Sequence, residues 1–148
     1  MIETGSDAPD FELKNQDSES VRLSSFKGKV VVLYFYPKDN TPGCTTEACD
    51  FRDSMDSLKK YGIAVLGVSA DSVNSHKRFH DQKKLNFDLL SDQKKEVIKK
   101  YGANGPLATR RITYIIDKNQ KVAYLFDKVH PQGHSREVLE KINELHLL

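Results

Sequence analysis

Two apolar runs dominate the hydrophobic pattern of the chain, at residues 30–36 and 63–69. Such runs are typical of strands that are buried on both faces of a sheet. Between them, over residues 42–61, apolar positions recur every three or four residues, which indicates a helix, and Gly62 supplies a C-terminal stop. A strand, a helix and a strand in this order predict a right-handed parallel βαβ unit.

The remaining pattern predicts shorter elements around this unit. Residues 11–13 and 21–23 form one predicted hairpin, and residues 112–116 and 122–126 form another. Helices are predicted over 73–82, over 92–101 between a Ser91 cap and Gly102, and after a Ser135 cap near the C-terminus. This element order predicts an α/β, thioredoxin-like fold: a central mixed β-sheet flanked by helices, with an N-terminal β-hairpin. We expect residues 1–148 to form a single domain.

Composition narrows the class of protein. Of the 148 residues 38% are hydrophobic and 30% charged, which fits a globular protein, and the net charge of +2 gives no argument for nucleic acid or membrane binding. No run approaches the roughly 18 apolar residues of a membrane span, and the N-terminus does not resemble a signal peptide. Two cysteines do not make a secreted disulfide framework, so we expect a reducing, cytoplasmic location, with an organellar mature form left open.

Both cysteines lie in one short segment between the first apolar run and the predicted helix. With Thr41 as the N-cap and Pro42 at the first helical position, Cys44 falls in the first turn. Free backbone N–H groups and the helix dipole favour a thiolate there, and the thiolate is the nucleophilic form of cysteine. The alternative interpretation is a buried, inert cysteine.

The second cysteine, Cys49, lies five residues beyond Cys44. On an ideal α-helix the two Cα atoms are about 8.6 Å apart, beyond the limit of about 7 Å for a disulfide. A disulfide between them therefore requires the first helical turns to unwind. If no such disulfide forms, Cys49 is a core cysteine beside Ala48.

Residues 36–53 read Tyr-Pro-Lys-Asp-Asn-Thr-Pro-Gly-Cys-Thr-Thr-Glu-Ala-Cys-Asp-Phe-Arg-Asp. This segment resembles the active-site segment of the peroxiredoxins, and more narrowly that of the bacterioferritin-comigratory-protein or peroxiredoxin-Q subfamily. The similarity continues through residues 65–72, 89–92 and 111–117, so it covers nearly the whole chain.

The resemblance implies a thiol-dependent peroxidase that reduces hydrogen peroxide and organic hydroperoxides and serves antioxidant defence and redox homeostasis. Cys44 would be the peroxidatic cysteine, which becomes a sulfenic acid. Cys49 would be the resolving cysteine, which forms an intramolecular disulfide with it. Thioredoxin or a similar dithiol would recycle the enzyme without a cofactor, and the subfamily leans to monomers.

The same resemblance adds three residues to the candidate site, and the chemistry of the segment adds Glu47. Pro37 and Thr41 match the family motif Pro-x-x-x-Thr-x-x-Cys, where proline would shield the thiolate from water and the threonine hydroxyl would bind peroxide. Arg111 matches the family's arginine, which would favour the thiolate and the charge on the leaving oxygen. From the residues alone, Arg110 is an equal candidate. Glu47 would anchor the arginine through a charge-assisted hydrogen bond.

The main alternative is a thioredoxin-like disulfide oxidoreductase, which shares the fold. It would favour a Cys-x-x-Cys pair and a proline before the third core strand, where this chain has Arg110 and Arg111. A metal-binding module is less well supported, because His76 and His80 have helical spacing but lack a nearby third ligand.

A nucleic-acid or partner-binding domain would rest on a group of lysines that reads more simply as a solvated helix surface. These are Lys94, Lys95, Lys99 and Lys100. Residues 102–109 read as a loop that would either change substrate access near Arg111 or form a contact surface, and the sequence does not choose between the two.

Overall fold

The computed structural model describes residues 1–148, and its central feature is one mixed sheet of seven strands. The strands are β1 (Glu12–Lys14), β2 (Ser20–Arg22), β3 (Val31–Phe35), β4 (Ala64–Ser69), β5 (Asp88–Ser91), β6 (Ile112–Ile116) and β7 (Val122–Phe126). The α-helices are α1 (Pro42–Lys60), α2 (Val73–Lys83), α3 (Glu96–Lys100) and α4 (His134–Glu144). The strands lie in the order β2-β1-β5-β4-β3-β6-β7. No helix combines the length and apolar character needed to cross a membrane.

Strand β3 lies near the middle of the sheet, parallel to β4 and antiparallel to β6. All of its residues are buried, as its unbroken apolar run predicted. Val32 and Tyr34 pack into one hydrophobic core with residues of α1, α2 and α4. Leu33 and Phe35 pack into a second core with residues of α3. Helices therefore cover both faces of this strand.

The pairing of β3 with β6 decides which residues meet at the end of β3. Phe35, the last residue of β3, pairs with Ile112, the first residue of β6. The two strands run in opposite directions, so Arg111 lies at the sheet edge where β3 leaves the sheet and leads into α1. Residues distant in sequence are brought together at this edge.

Most predicted elements are confirmed. Strands β3 and β4 are parallel and joined by α1, and β6 and β7 form the predicted antiparallel hairpin with its predicted bounds. The N-terminal hairpin is present as β1 and β2. Gly62 follows the end of α1 with a positive φ of 71°, which suits a glycine that stops a helix.

Two elements were not predicted. Strand β5 is short, and Leu89 and Leu90 are its only apolar residues, too few to establish a pattern. A 3-10 helix at Leu23–Phe26 follows β2, where the pattern had placed the end of a strand.

The predicted cap of the third helix is wrong. Ser91 is the last residue of β5, and its hydroxyl donates to the backbone carbonyl of Asp71. Helix α3 begins only at Glu96. The carboxylate of Asp92 accepts from the backbone N–H of Ile98, so an aspartate holds the start of this short helix.

The predicted cap of the last helix is also wrong. Helix α4 begins at His134, after Gly133 at the N-cap, and Ser135 is its second residue. A glycine has no side chain with which to cap a helix. The carboxylate of Asp50 on α1 takes that place by accepting from the backbone N–H of Ser135 at 2.7 Å.

The two-sided burial of β3 gives a prediction for stability. Leu33→Ala should lower the free energy of unfolding by about 2–5 kcal/mol, because it leaves a cavity at a fully buried position. The matched control is Leu107→Ala in the loop before Arg111, where the side chain is 97% exposed and the effect should stay within about 0.5 kcal/mol. Chemical denaturation measures both. Equal effects of the two substitutions would contradict the placement of β3.

Candidate active site

Cys44 lies in the first turn of α1, as predicted. Thr41 is at the N-cap position with an extended backbone, and Pro42 is the first helical residue. The backbone N–H groups of such a first turn have no partner inside the helix and carry the positive end of its dipole. The position of Cys44 in the first turn places its sulfur in this field. Cys44 is 1% exposed, so the sulfur is also largely shielded from water.

Thr41 occupies the N-cap position, but its side chain makes no capping hydrogen bond. Its hydroxyl donates instead to the backbone carbonyl of Lys38 at 2.8 Å. With its hydrogen committed in this way, the hydroxyl oxygen presents lone pairs and can accept a hydrogen bond from a bound molecule. To donate to such a molecule, the hydroxyl would first have to break its bond to Lys38.

Arg111 is the arginine that reaches the cysteine. Its Nη2 donates to Sγ of Cys44 at 3.3 Å, and its Nη1 donates to Oε1 of Glu47 at 2.7 Å. Arg110 points elsewhere, with Nη1 3.9 Å from the sulfur of Met1. A guanidinium that donates to sulfur favours the anionic form of the thiol. Burial tends to lower the pKa of Arg111, but Glu47 and Cys44 raise it overall, so the group stays cationic.

Gly43 makes room for this contact. A Cβ atom at this position would lie 2.9 Å from Nη2 of Arg111, which is closer than real Cβ contacts allow. The group next to Gly43 is therefore the arginine that contacts Cys44.

Glu47 is a fully buried carboxyl group. Burial raises its pKa to about 7 from 4.5, although Arg111 works in the opposite direction. Its Oε1 accepts from Arg111, whereas its Oε2 has no hydrogen-bond partner. An unpartnered buried carboxylate oxygen is costly, which is the physical reason why the protonated form persists to a higher pH.

The two cysteines are free and lie in different surroundings. Cys44 is buried in the core between α1 and the sheet, whereas Cys49 is partly exposed. Cys49 borders an open surface groove, which is also lined by Thr45, Thr46, Asp50, Asp53 and Gln132. Both cysteines lie within the continuous helix α1, so the ideal-helix separation of about 8.6 Å between their Cα atoms applies.

The structure thus brings three of the six candidate residues into direct contact: Cys44, Glu47 and Arg111. Thr41 stands at the start of the same helix, and Pro37 lies half-buried where the chain leaves β3. Cys49 is on the same helix but outside this cluster.

A buried polar cluster beside the site was missed by the sequence reasoning. Nδ1 of His76 contacts Oδ2 of Asp39 at 2.7 Å, and its Nε2 contacts the Leu90 carbonyl at 3.0 Å. Asp71 accepts from the backbone N–H of Asp39 at 2.9 Å. No spacing pattern links residues 39, 71 and 76, so only the fold reveals them as neighbours. The helical spacing of His76 and His80 was the one available signal.

The ligand atoms of Asp39, Asp71 and His76 lie within 4.8 Å of one another, which is close enough to hold a metal ion. Both carboxylate oxygens of Asp39 and both ring nitrogens of His76 already have partners within the protein. Oδ2 of Asp71 likewise accepts from the Ser69 hydroxyl. This group is therefore a closed hydrogen-bond network that fixes the chain just before Thr41.

Comparison with known proteins identifies the family of this chain. The family model described as "AhpC/TSA family" matches residues 4–125. The chain belongs to the AhpC/TSA family and, within it, to the peroxiredoxins of the Bcp and peroxiredoxin Q type, which are thiol peroxidases.

Three similar proteins illustrate the relationship. Peroxiredoxin Q, chloroplastic, from Oryza sativa subsp. japonica is 45% identical, over 97% of this chain and 68% of that protein. Peroxiredoxin Bcp of Bacillus subtilis is 41% identical, over 97% of each chain. A solved structure of the bacterioferritin comigratory protein of Xanthomonas campestris is 29% identical with a TM-score of 0.90, over 99% of this chain and 100% of that one. The predicted thioredoxin-like fold is thereby confirmed.

Glu47→Gln should change how stability depends on pH. The pKa of Glu47 is raised from 4.5 to about 7 by folding, so the folded protein takes up a proton. Its stability therefore falls as the pH rises from about 4.5 to about 7 and then levels off. Glutamine cannot ionise, so the variant should gain on the order of 3 kcal/mol relative to the wild type across this range. Chemical denaturation at a series of pH values measures the difference.

The control for this experiment is Glu140→Gln on α4, where the carboxyl group is exposed. Its pH profile should follow that of the wild type. If the Glu47→Gln profile ran parallel to the wild type as well, the account of Glu47 as a buried group that folds in its protonated form would be wrong.

Proposed function

We propose that Cys44 is the peroxidatic cysteine of this peroxiredoxin and that Cys49 is its resolving cysteine, within one domain formed by residues 1–148. The observation that carries the proposal is the hydrogen bond from Arg111 to Sγ of Cys44 at the start of a helix. A buried sulfur that faces a guanidinium and a helix N-terminus is arranged to react as a thiolate.

The first step is the attack of the Cys44 thiolate on the terminal oxygen of a hydroperoxide. The sulfur–oxygen bond forms as the oxygen–oxygen bond breaks, and the leaving alkoxide or hydroxide takes up a proton to give alcohol or water. Arg111 is 19% exposed and already at the sulfur, so it is placed to stabilise charge on the leaving oxygen. The oxygen of Thr41 would accept a hydrogen bond from the peroxide, and Pro37 would help to exclude water.

The second step is resolution. Cys49 attacks the sulfur of the Cys44 sulfenic acid, so that a disulfide forms and water leaves. Because both cysteines lie in α1, the helix has to unwind at its start before the two sulfurs can meet. An external dithiol, which we propose to be thioredoxin, then reduces the disulfide by thiol–disulfide exchange.

We further propose that the enzyme acts as a monomer in the cytoplasm or another compartment that supplies a dithiol, where it contributes to antioxidant defence and redox homeostasis. The structure of the Xanthomonas campestris relative is described in connection with alkyl peroxide reduction, which supports organic hydroperoxides among the substrates. A thioredoxin-like disulfide oxidoreductase is the weaker alternative, because its two sulfurs would need to bridge without unwinding.

Cys44→Ser should reduce peroxide consumption to the uncatalysed background, because the alcohol is not ionised under these conditions and cannot replace the thiolate. The measurement is hydroperoxide consumption in the presence of a thioredoxin system. Retained turnover would remove Cys44 from its proposed role. Disulfide reductase activity without peroxide consumption in the wild type would favour the alternative function.

Cys49→Ser should separate the two steps. The first oxidation of Cys44 should stay within about twofold of the wild type, whereas thioredoxin-dependent turnover should slow by at least about tenfold, since no internal thiol can resolve the sulfenic acid. Single-turnover kinetics and a sulfenic acid trap measure the two quantities. Unchanged thioredoxin-dependent turnover would show that Cys49 is not the resolving cysteine.

A further inference from the structure

Asp50, the residue immediately after Cys49, ties α1 to α4. Its Oδ1 accepts from the backbone N–H of Gly133 at 3.2 Å, and its Oδ2 accepts from the backbone N–H of Ser135 at 2.7 Å. One turn further along α1, the hydroxyl of Ser54 lies 2.6 Å from that of Ser135. Since α4 begins with a glycine at its N-cap, the Asp50 carboxylate supplies the cap for that helix.

Asp39 anchors the chain through hydrogen bonds on the other side of the cysteines. Its Oδ1 accepts from the Tyr36 hydroxyl at 2.6 Å, and its Oδ2 accepts from the Ser75 hydroxyl at 2.8 Å and contacts His76 at 2.7 Å. The Leu90 carbonyl can only accept, so Nε2 of His76 carries a hydrogen and the ring is fixed at both nitrogens. Asp39 is thereby bound to Tyr36, which directly follows β3, and to α2, and it is linked through His76 to β5.

The residues between these two aspartates form a segment that we call the switch segment, residues 40–49. It begins at Asn40, which lies in a turn and has a positive φ of 62°. Only Cys44, Glu47 and Ala48 in this segment are buried. Its side chains make three hydrogen bonds to residues outside it: Cys44 and Glu47 accept from Arg111, and Thr41 donates to the carbonyl of nearby Lys38. Oxidation of Cys44 changes the sulfur that accepts from Arg111, which weakens one of the two bonds to that arginine.

We propose that Asp39 and Asp50 are positioning residues that bracket the switch segment and confine to it the unwinding that the Cys44–Cys49 disulfide requires. This inference rests on the proposed function, because it concerns the path to that disulfide. Cys49 is attached to the anchored Asp50, whereas Cys44 is six residues from that aspartate. Cys44 therefore moves toward Cys49, and the rest of α1 and its core contacts stay in place.

Hydrogen exchange measured by mass spectrometry tests whether the unwinding is confined to the switch segment. Full-length protein is compared in its reduced form and after one equivalent of hydrogen peroxide, with intact mass to verify the loss of two hydrogens. Amides of residues 45–53 should lose protection on oxidation, because in α1 they donate to the carbonyls of residues 41–49, which unwind. Peptides within residues 31–39, 54–60 and 134–144 should keep their exchange rates within about threefold, because their hydrogen bonds remain closed.

Variants of Asp50 locate the boundary of the unwinding. In oxidised Asp50→Ala the loss of protection should extend past residue 53 into the next turn of α1 and into the start of α4. Asp50→Asn should give a smaller extension, because the amide oxygen can still accept one of the two N–H groups. Asp56→Ala is the matched control, since it removes the same charge from an exposed position on the same helix and should behave as the wild type does.

His76→Asn tests the other boundary. Asparagine is too short to reach both Asp39 and the Leu90 carbonyl, so the loss of protection on oxidation should extend into residues 36–39. Its rate of Cys44 oxidation is measured alongside, to separate a change in the anchor from a change in the thiol.

The outcomes are distinct. If no disulfide forms in the wild type, the proposed function fails, and so does the proposal that Asp39 and Asp50 confine the unwinding. If the disulfide forms but protection is lost throughout α1, or if Asp50→Ala and Asp50→Asn both match the Asp56→Ala control, only the proposed role of the two aspartates is overturned. Should Asp50→Ala not fold, the wild-type pattern and Asp50→Asn still decide the question.

Discussion

The hydrogen bond from Arg111 to the sulfur of Cys44 joins residues that are 67 positions apart in the chain, and the site depends on it. It exists because β3 and β6 are antiparallel and in a register that pairs Phe35 with Ile112. It also needs the missing side chain of Gly43, which leaves space for the guanidinium. A one-residue slip between β3 and β6 would turn Arg111 away and bring a different side chain to the cysteine.

The helix that activates Cys44 also keeps it apart from Cys49. Its first turn supplies the unpaired N–H groups and the dipole that favour the thiolate, while its regular rise separates the two Cα atoms beyond disulfide reach. Both properties depend on the same hydrogen bonds, so the start of α1 must be folded for the peroxide step and unfolded for the resolving step. This conflict is the physical reason for a conformational step in the cycle, and Glu47 and Arg111 connect the folded form to the core.

Much of this could be predicted from sequence because the signals are local. The apolar run at residues 30–36, the helical periodicity after Pro42 and the five-residue cysteine spacing each determine an element or a distance without reference to the rest of the chain.

Ser91 and Ser135 show where local signals failed. Ser91 is held in β5 and the next residue, Asp92, binds the start of α3 instead. Ser135 lies inside α4, whose start is bound by Asp50, a residue that only the tertiary fold brings within reach. The choice of Arg111 over Arg110 likewise required either family resemblance or the strand register. The pairing of Asp39 with His76 had no local signal at all.

The Cys44–Cys49 disulfide and an intact start of α1 should exclude each other. Carbon chemical shifts from NMR test this in a single sample of oxidised protein, because the Cβ shifts of the two cysteines report the disulfide and the Cα shifts along α1 report helix. Both should change together, with residues between Pro42 and Cys49 losing their helical shifts when the disulfide forms. A disulfide signature with helical shifts retained throughout α1 would contradict it.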